Sequence, residues 1–341
     1  MLYNLAKRKD SHMIRFGVIG TNWITEELIK AAGETEDFVL TAVYSRKEET
    51  ANEFAAKFNI PNIFTDVESM AKSDKVDAVY IASPNSFHKN HTILCMNHGK
   101  HVLCEKPMAS NTTELKEMLA VAKKNKVLLM EALKSTLLPN FLTIQENLHK
   151  IGQVRRYFAS YCQYSSRYDS YKQGIILNAF NPLFSNGSLM DLGIYCIYPL
   201  VVLFGRPDQV KANGIMLDSG VDGEGSIIMK YEGMDAVIMH SKMTNSYVAS
   251  EIQGENGTMI IDKINTPEKV EIYYRDGTIE NIKKSQLSNS MQYEVKEFID
   301  LIKKGKLEST NNSHMNSMIT MEIMDETRRQ IGIIYPADSA E

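Results

Sequence analysis

Two short stretches hold side chains suited to moving a proton. Cys104-Glu-Lys-Pro107 sets Lys106 between a carboxylate and a proline, at the end of an apolar run. Neighbouring charge and partial burial tune a lysine there, and its donors can be aimed at a substrate oxygen. The second stretch, Gly187-Ser-Leu-Met-Asp-Leu-Gly-Ile-Tyr195, places Asp191 and Tyr195 four positions apart, on one face of a helix if Ser188 onward is helical. Gly193 would remove a side chain where a ring or substrate approaches. A phenol beside an ammonium passes a proton to or from a substrate oxygen while a nicotinamide carbon gives or takes hydride. The pair therefore reads as carbonyl–alcohol redox chemistry, with Asp191 orienting the tyrosine or binding a substrate hydroxyl. Taken singly, each residue also fits a plainer role: a surface lysine, a helix carboxylate, packing tyrosines at 195 and 198.

Such chemistry needs a cradle for a dinucleotide. Ile14-Arg-Phe-Gly-Val-Ile-Gly-Thr-Asn-Trp-Ile24 reads as a buried strand that turns at Gly20 directly into a helix. The free N–H groups and positive end of that helix favour an anion over Gly20, Thr21, Asn22, Trp23 and Ile24. Against the spacing G-x-G-x-x-G, Asn22 and Thr25 stand at the second and third glycine positions; both are small enough to loosen the motif without cancelling it. A second strand, Phe38 to Tyr44, follows at the spacing of a βαβ unit and ends in Ser45 and Arg46. An acid there would accept from a ribose 2′-hydroxyl. A hydroxyl followed by a guanidinium instead donates to a 2′-phosphate and neutralises it, which favours NADP over NAD. The loops Ala82-Ser-Pro-Asn-Ser-Phe-His88 and Cys104-Glu-Lys-Pro107 are expected to overhang the nicotinamide end.

Strand and helix patterns alternate to residue 133, giving six strand candidates and a doubly wound parallel sheet whose ligands sit at the C-terminal strand ends. Helices are expected over 88–97 and from Asn111, and a capping box at Thr65-x-x-Glu68. After a helix near 139–149, period-two runs and the turn signals Asn256-Gly257 and Asp276-Gly277 predict a large, mostly antiparallel open sheet. It is interrupted by a helical stretch over 188–204 and closed by helices at 291–304 and 313–331. The Val295, Phe298, Ile299, Ile302 stripe reads as core packing. The predicted division is a dinucleotide-binding Rossmann domain over 13–134 and an α+β substrate and oligomerisation domain over 135–341. Met13 reads as the natural start, with residues 1–12 an extension outside the fold.

With 341 residues, 43% hydrophobic and 23% charged, the composition is that of a folded globular enzyme. A net charge of −4 without a basic block gives no reason to expect nucleic acid or an anionic membrane as partner. Residues 1–12 lack the apolar segment of a signal peptide, and no uninterrupted apolar run nears the roughly 18 residues of a membrane helix, so the expected location is cytoplasmic. Cys95, Cys104, Cys162 and Cys196 are scattered, as reduced thiols are. His88-x-x-His91 and His98-x-x-His101 lack nearby acidic or thiol partners, so no metal is expected.

Gly17-Val-Ile-Gly-Thr21, Ser83-Pro-Asn85 with His88, Gly99-Lys-His-Val-Leu-Cys-Glu-Lys-Pro-Met108, Glu131-Ala132 and Asp191-x-Gly-x-Tyr195 together resemble the glucose-fructose oxidoreductase / inositol dehydrogenase / rhizopine catabolism (Gfo/Idh/MocA) family. The similarity runs from about residue 13 to the C-terminus and looks closest to the dihydrodiol dehydrogenase and glucose-fructose oxidoreductase branches. The resemblance implies a Rossmann domain followed by an α+β domain whose open sheet packs on another subunit, in a homodimer or homotetramer. It also implies that Lys106 is the catalytic lysine, Tyr195 the proton donor and Asp191 their partner carboxylate. Asn85 and Glu105 would lie near the nicotinamide ribose, and Ser45 with Arg46 would read NADP. Three departures touch cofactor and substrate: Asn22 for a glycine, Leu133-Lys-Ser-Thr-Leu137 after Glu131-Ala132, and Ser185-Asn-Gly187 for a glycine cluster. Arg167, Tyr168 and Asn178 precede the second motif and are candidate contacts to a polar substrate. The expected activity is NADP-dependent hydride transfer on a sugar, polyol or dihydrodiol-like compound. A non-catalytic cofactor-binding sensor and a redox-assisted lyase or glycosidase are the alternatives.

Overall fold

Strands with no polar face must be covered on both sides, and the first half of the chain is built that way. The computed structural model describes residues 13–339, so the expectation for residues 1–12 lies outside the described residues. Strands β1 (Ile14–Ile19), β2 (Phe38–Tyr44), β3 (Asn62–Phe64), β4 (Ala78–Ile81), β5 (His101–Glu105) and β6 (Leu129–Ala132) form one sheet in the order β3-β2-β1-β4-β5-β6. Every pairing in it is parallel. Helices α1 (Trp23–Gly33), α2 (Glu48–Phe58), α3 (Val67–Lys72), α4 (His88–Asn97) and α5 (Thr112–Asn125) cover its faces. Phe16, Val18, Val79, Tyr80, Val102 and Leu103 are buried completely. The order of strands reverses direction between β1 and β4, which opens a crevice at their C-terminal ends.

Two local expectations resolve differently. The cap of α3 is Asp66, whose carboxylate accepts from the Ser69 N–H at 2.7 Å, not Thr65 with Glu68. Asp66 offers a charged acceptor one residue closer to the helix, where it also complements the helix dipole. The cap of α5 is Asn111 as expected, but Glu114 reaches back to the N–H of Ser110, not of Asn111.

Helix α6 (Pro139–Asn147) leads into the second sheet: β7 (Val154–Cys162), β8 (Gln209–Met216), β9 (Asp222–Tyr231), β10 (Met234–Ser241), β11 (Ser250–Gly254), β12 (Gly257–Ile261), β13 (Val270–Tyr274) and β14 (Ile279–Asn281). Their order is β14-β13-β12-β11-β7-β10-β9-β8. Pairings are antiparallel except β7 against β10, which run parallel because a long excursion separates them. That excursion carries α7 (Tyr168–Lys172) and α8 (Ile194–Phe204). Ile227 and Met229 of β9 turn inward and are buried, while Ile228 between them is 55% exposed, so one sheet face is dry and the other open.

The stretch predicted as one helix over 188–204 is a single π turn, Leu189–Gly193, running into α8. Residues 182–204 are long and apolar enough to cross a membrane, but an 18-residue apolar stretch of them is 72% buried in the protein itself, which makes this a core segment. Helices α9 (Gln292–Lys303) and α10 (His314–Ile331) end the fold. Val295, Phe298 and Ile299 do pack as core, but against Phe16 and Leu28 of the first sheet's cluster, so α9 returns to the dinucleotide-binding half.

Candidate active site

The turn from β1 into α1 explains its own sequence. Gly20 has φ +111°, and a Cβ there would lie 2.6 Å from the Ala82 carbonyl oxygen, so only glycine fits. Asn22, which departs from the glycine pattern, caps α1: its side-chain oxygen accepts from the Thr25 N–H at 3.2 Å and its amide donates to Ala82 O at 2.8 Å. It thereby ties the turn to the end of β4, across the crevice. Gly20, Thr21, Asn22, Ser45, Arg46, Ser83 and Pro84 line one cleft of about 470 Å³ at the C-terminal strand ends. These residues fit a dinucleotide phosphate: a helix N-terminus, the hydroxyls of Thr21, Ser45 and Ser83 and a guanidinium line one space.

Sequence reasoning missed Tyr44, Phe87 and His91 in the same cleft, while Asn178, singled out for the substrate, lines it too. The His91 ring stacks on Phe87 at 5.8 Å and meets Ser83 Oγ at 3.0 Å. Burial, with help from His88 and Arg46, pulls its pKa down to about 4, so it is neutral at pH 7.

Other predicted residues stand elsewhere. Trp23, 65% exposed, and Ile24 line a separate hollow of about 350 Å³ that also contains Lys134. His88 is fully buried, with its two ring nitrogens at 2.8 Å from Ser83 O and 2.9 Å from Pro107 O. It fastens the two loops together and leaves no nitrogen for a ligand. Asn85 donates to Ser185 O at 2.8 Å, joining the first domain to the second. Glu105 accepts from the buried Tyr80 hydroxyl at 2.5 Å, and burial raises its carboxyl although Lys106 opposes this. Arg167 is exposed, and Tyr168 packs with Tyr171 and Phe180.

Lys106 meets Asp191 and Tyr195, which lie 85 and 89 positions further along the chain. The Lys106 ammonium donates to Asp191 Oδ1 at 2.8 Å and to the Asp191 carbonyl at 3.0 Å. It also stands 4.8 Å from the centre of the Tyr195 ring. Burial works against its charge, but Asp191, Tyr195 and Glu105 together hold it above the ordinary lysine range. The Asp191 carboxyl stays well below the usual carboxylate range: burial opposes its charge, and Lys106 and Lys242 overcome this.

Two opposing effects set the state of Tyr195. Lys106 does lower its pKa, but burial raises it more, so the net shift is upward and the side chain rests as a phenol. Gly193 serves a different end from the one expected: a Cβ there would come within 3.1 Å of the His240 ring, so the missing side chain admits a core histidine and not a substrate. Lys242, absent from the sequence reading, binds the other oxygen of Asp191 at 2.8 Å. It lies just past β10, with no motif to announce it.

A parallel dinucleotide-type sheet, a second open sheet and a lysine–carboxylate–tyrosine cluster are the parts a dehydrogenase needs. Residues 14–133 match the family described as oxidoreductase family, NAD-binding Rossmann fold, and residues 145–260 match the GFO/IDH/MocA C-terminal domain. The chain belongs to the GFO/IDH/MocA oxidoreductase family. Among its relatives, scyllo-inositol 2-dehydrogenase (NADP(+)) IolU of Bacillus subtilis is 60% identical over 96% of this chain and 100% of its own length. Mouse trans-1,2-dihydrobenzene-1,2-diol dehydrogenase is 30% identical over 95% of this chain and 99% of its own. A solved structure with the same fold is the 3-ketoreductase KijD10 of Actinomadura kijaniata with NADP and TDP-benzene, at TM-score 0.82 and 23% identity over 93% of this chain and 98% of that one.

Proposed function

We propose that this protein is an NADP-dependent dehydrogenase that oxidises a secondary hydroxyl of a cyclic polyol of the inositol type, or reduces the corresponding ketone. The observation that carries this is the convergence of the Lys106 ammonium and the Tyr195 ring, 4.8 Å apart, in a chain whose dinucleotide-type cleft is lined by Gly20, Ser45 and Arg46. Identity of 60% across the whole chain to an NADP(+)-dependent scyllo-inositol dehydrogenase supports the substrate class.

Gly20, Thr21 and Asn22 would hold the pyrophosphate of the nucleotide and Ser45 with Arg46 its 2′-phosphate. When bound, the nicotinamide supplies or takes up the hydride. Lys106 directs an N–H at the substrate oxygen and stabilises negative charge as it grows there. Tyr195, resting as a phenol, gives its proton to a carbonyl oxygen during reduction, and the reverse transfer serves oxidation. Asp191 fixes the lysine from two directions, through a carboxylate oxygen and its carbonyl.

The test is to incubate the protein with NADP+ or NAD+ and a panel of inositols, aldoses and dihydrodiols while following reduced-cofactor absorbance. The expected result is reduction of NADP+ with an inositol such as scyllo-inositol. No reduced cofactor with any alcohol, and no oxidation of NADPH by the matching ketones, rejects the proposal. A new product without net cofactor change would instead indicate a redox-assisted lyase.

A further inference from the structure

Lys242 has no part in the scheme above, yet it is 3% exposed and its ammonium lies 2.8 Å from Asp191 Oδ2. A buried ammonium is costly unless paired. Its other neighbours are weak, the Ala179 carbonyl at 3.4 Å and the Phe180 ring at 5.4 Å, so Asp191 is its principal partner. The carboxylate is thus bracketed, Lys106 on Oδ1 and Lys242 on Oδ2.

Counting donors gives this bracket a meaning. An ammonium has three N–H groups, and Lys106 spends two on the side chain and carbonyl of Asp191. The third is left over, and the ammonium itself stands 4.8 Å from the centre of the Tyr195 ring. A carboxylate can take two donors from one cation through its two oxygens. With Oδ2 held by Lys242, Asp191 serves Lys106 through Oδ1 and its carbonyl alone. We propose that Lys242 is a positioning residue: by occupying Asp191 Oδ2 it keeps one Lys106 N–H free for the substrate oxygen. This rests on the reading of Lys106 and Tyr195 given above and adds to it a group that touches neither substrate nor cofactor.

The experiment is a double-mutant cycle of Lys242→Met and Asp191→Asn, assayed with NADP+ and scyllo-inositol. Lys242→Met is expected to lower kcat by about tenfold or more, with KM and the NADPH dissociation constant changed by less than about threefold. Lys242→Arg, which keeps the charge and donors, is expected to recover most of the lost kcat. In the Asp191→Asn background the same Lys242→Met change should cost less than about threefold, because the bracket it serves is already gone. A structural role alone would give losses that add and would lower cofactor binding and the unfolding midpoint together. Undiminished kcat in Lys242→Met, or an equal loss in both backgrounds, overturns the proposal. If Lys242→Met does not fold, Lys242→Gln takes its place in the cycle under the same criteria. Undiminished kcat in Lys106→Met and Tyr195→Phe overturns the underlying reading instead, so the two failures are told apart.

Discussion

In the proposed reaction Lys106 and Tyr195 divide the work between a fixed charge and a proton carrier. The ammonium is a permanent charge that needs no proton exchange, and the phenol is a proton carrier held in its neutral form by burial. Replacing Lys106 with Met, or Tyr195 with Phe, is expected to lower kcat by roughly 10²-fold, the order of lost acid–base or charge assistance. NADPH binding, read by fluorescence titration, should stay nearly unchanged in both. Arg46 lines the dinucleotide-type cleft and is proposed to hold the 2′-phosphate. Arg46→Asp should weaken NADPH binding by roughly tenfold or more while sparing NADH, since a carboxylate repels a 2′-phosphate and accepts from a 2′-hydroxyl. Tighter binding of NADH than of NADPH by the unaltered protein would contradict this assignment.

At the scale of elements, β9, β10 and the π turn enclose a buried pair, Asp222 and His240, 3.7 Å apart and both inaccessible. Burial raises Asp222 to about 6 and lowers His240 to about 3. The two have opposite effects on stability. Between about pH 4 and 6 the folded chain holds a proton on Asp222 that the unfolded chain has released, so this group favours the folded state less as pH rises. Over the same range the unfolded chain holds a proton on His240 that the folded chain lacks, so this group favours the folded state more as pH rises. The contributions nearly cancel. In Asp222→Asn only the histidine remains, and the unfolding free energy should fall by about 1.4 kcal/mol for each pH unit from 6 to 4 relative to the unaltered protein. Urea unfolding at pH 6, 5 and 4 measures this; parallel curves for the two proteins would exclude it.

For the whole molecule, the open face of the second sheet remains to be accounted for. Phe158, Val237 and Ile228 are neighbours in register across β7, β10 and β9, and they point away from the helices. Lys211 and Glu251 flank this strip. An apolar strip with charges of opposite sign at its ends suits a two-fold contact with a second copy. We therefore expect a homodimer, or a tetramer built from it, in sedimentation velocity. Ile228→Asp, on an exposed position, should shift it toward monomer without unfolding it. A monomeric unaltered protein at micromolar concentration would remove the expectation.

The alternation of buried strands with helices, the glycine turn, and the pairing of Glu-Lys-Pro with Asp-x-Gly-x-Tyr were legible in the sequence, because each depends on local periodicity or on a motif a few residues long. That is enough to give the architecture of a parallel sheet followed by a mostly antiparallel one, and to nominate Lys106, Asp191 and Tyr195. Other features depend on what packs against them across long stretches of chain. His88 has the composition of a ligand and the position of a fastener. Gly193 makes room for His240, which is 47 positions away. The stripe on α9 gives no sign in itself that it returns to the first sheet. Lys242 stands in an ordinary polar run and becomes part of the site only because β10 ends beside Asp191. Sequence spacing determined which groups are available for the chemistry. Tertiary packing decided their protonation and their free donors, since both follow from burial and from partners that local sequence does not specify.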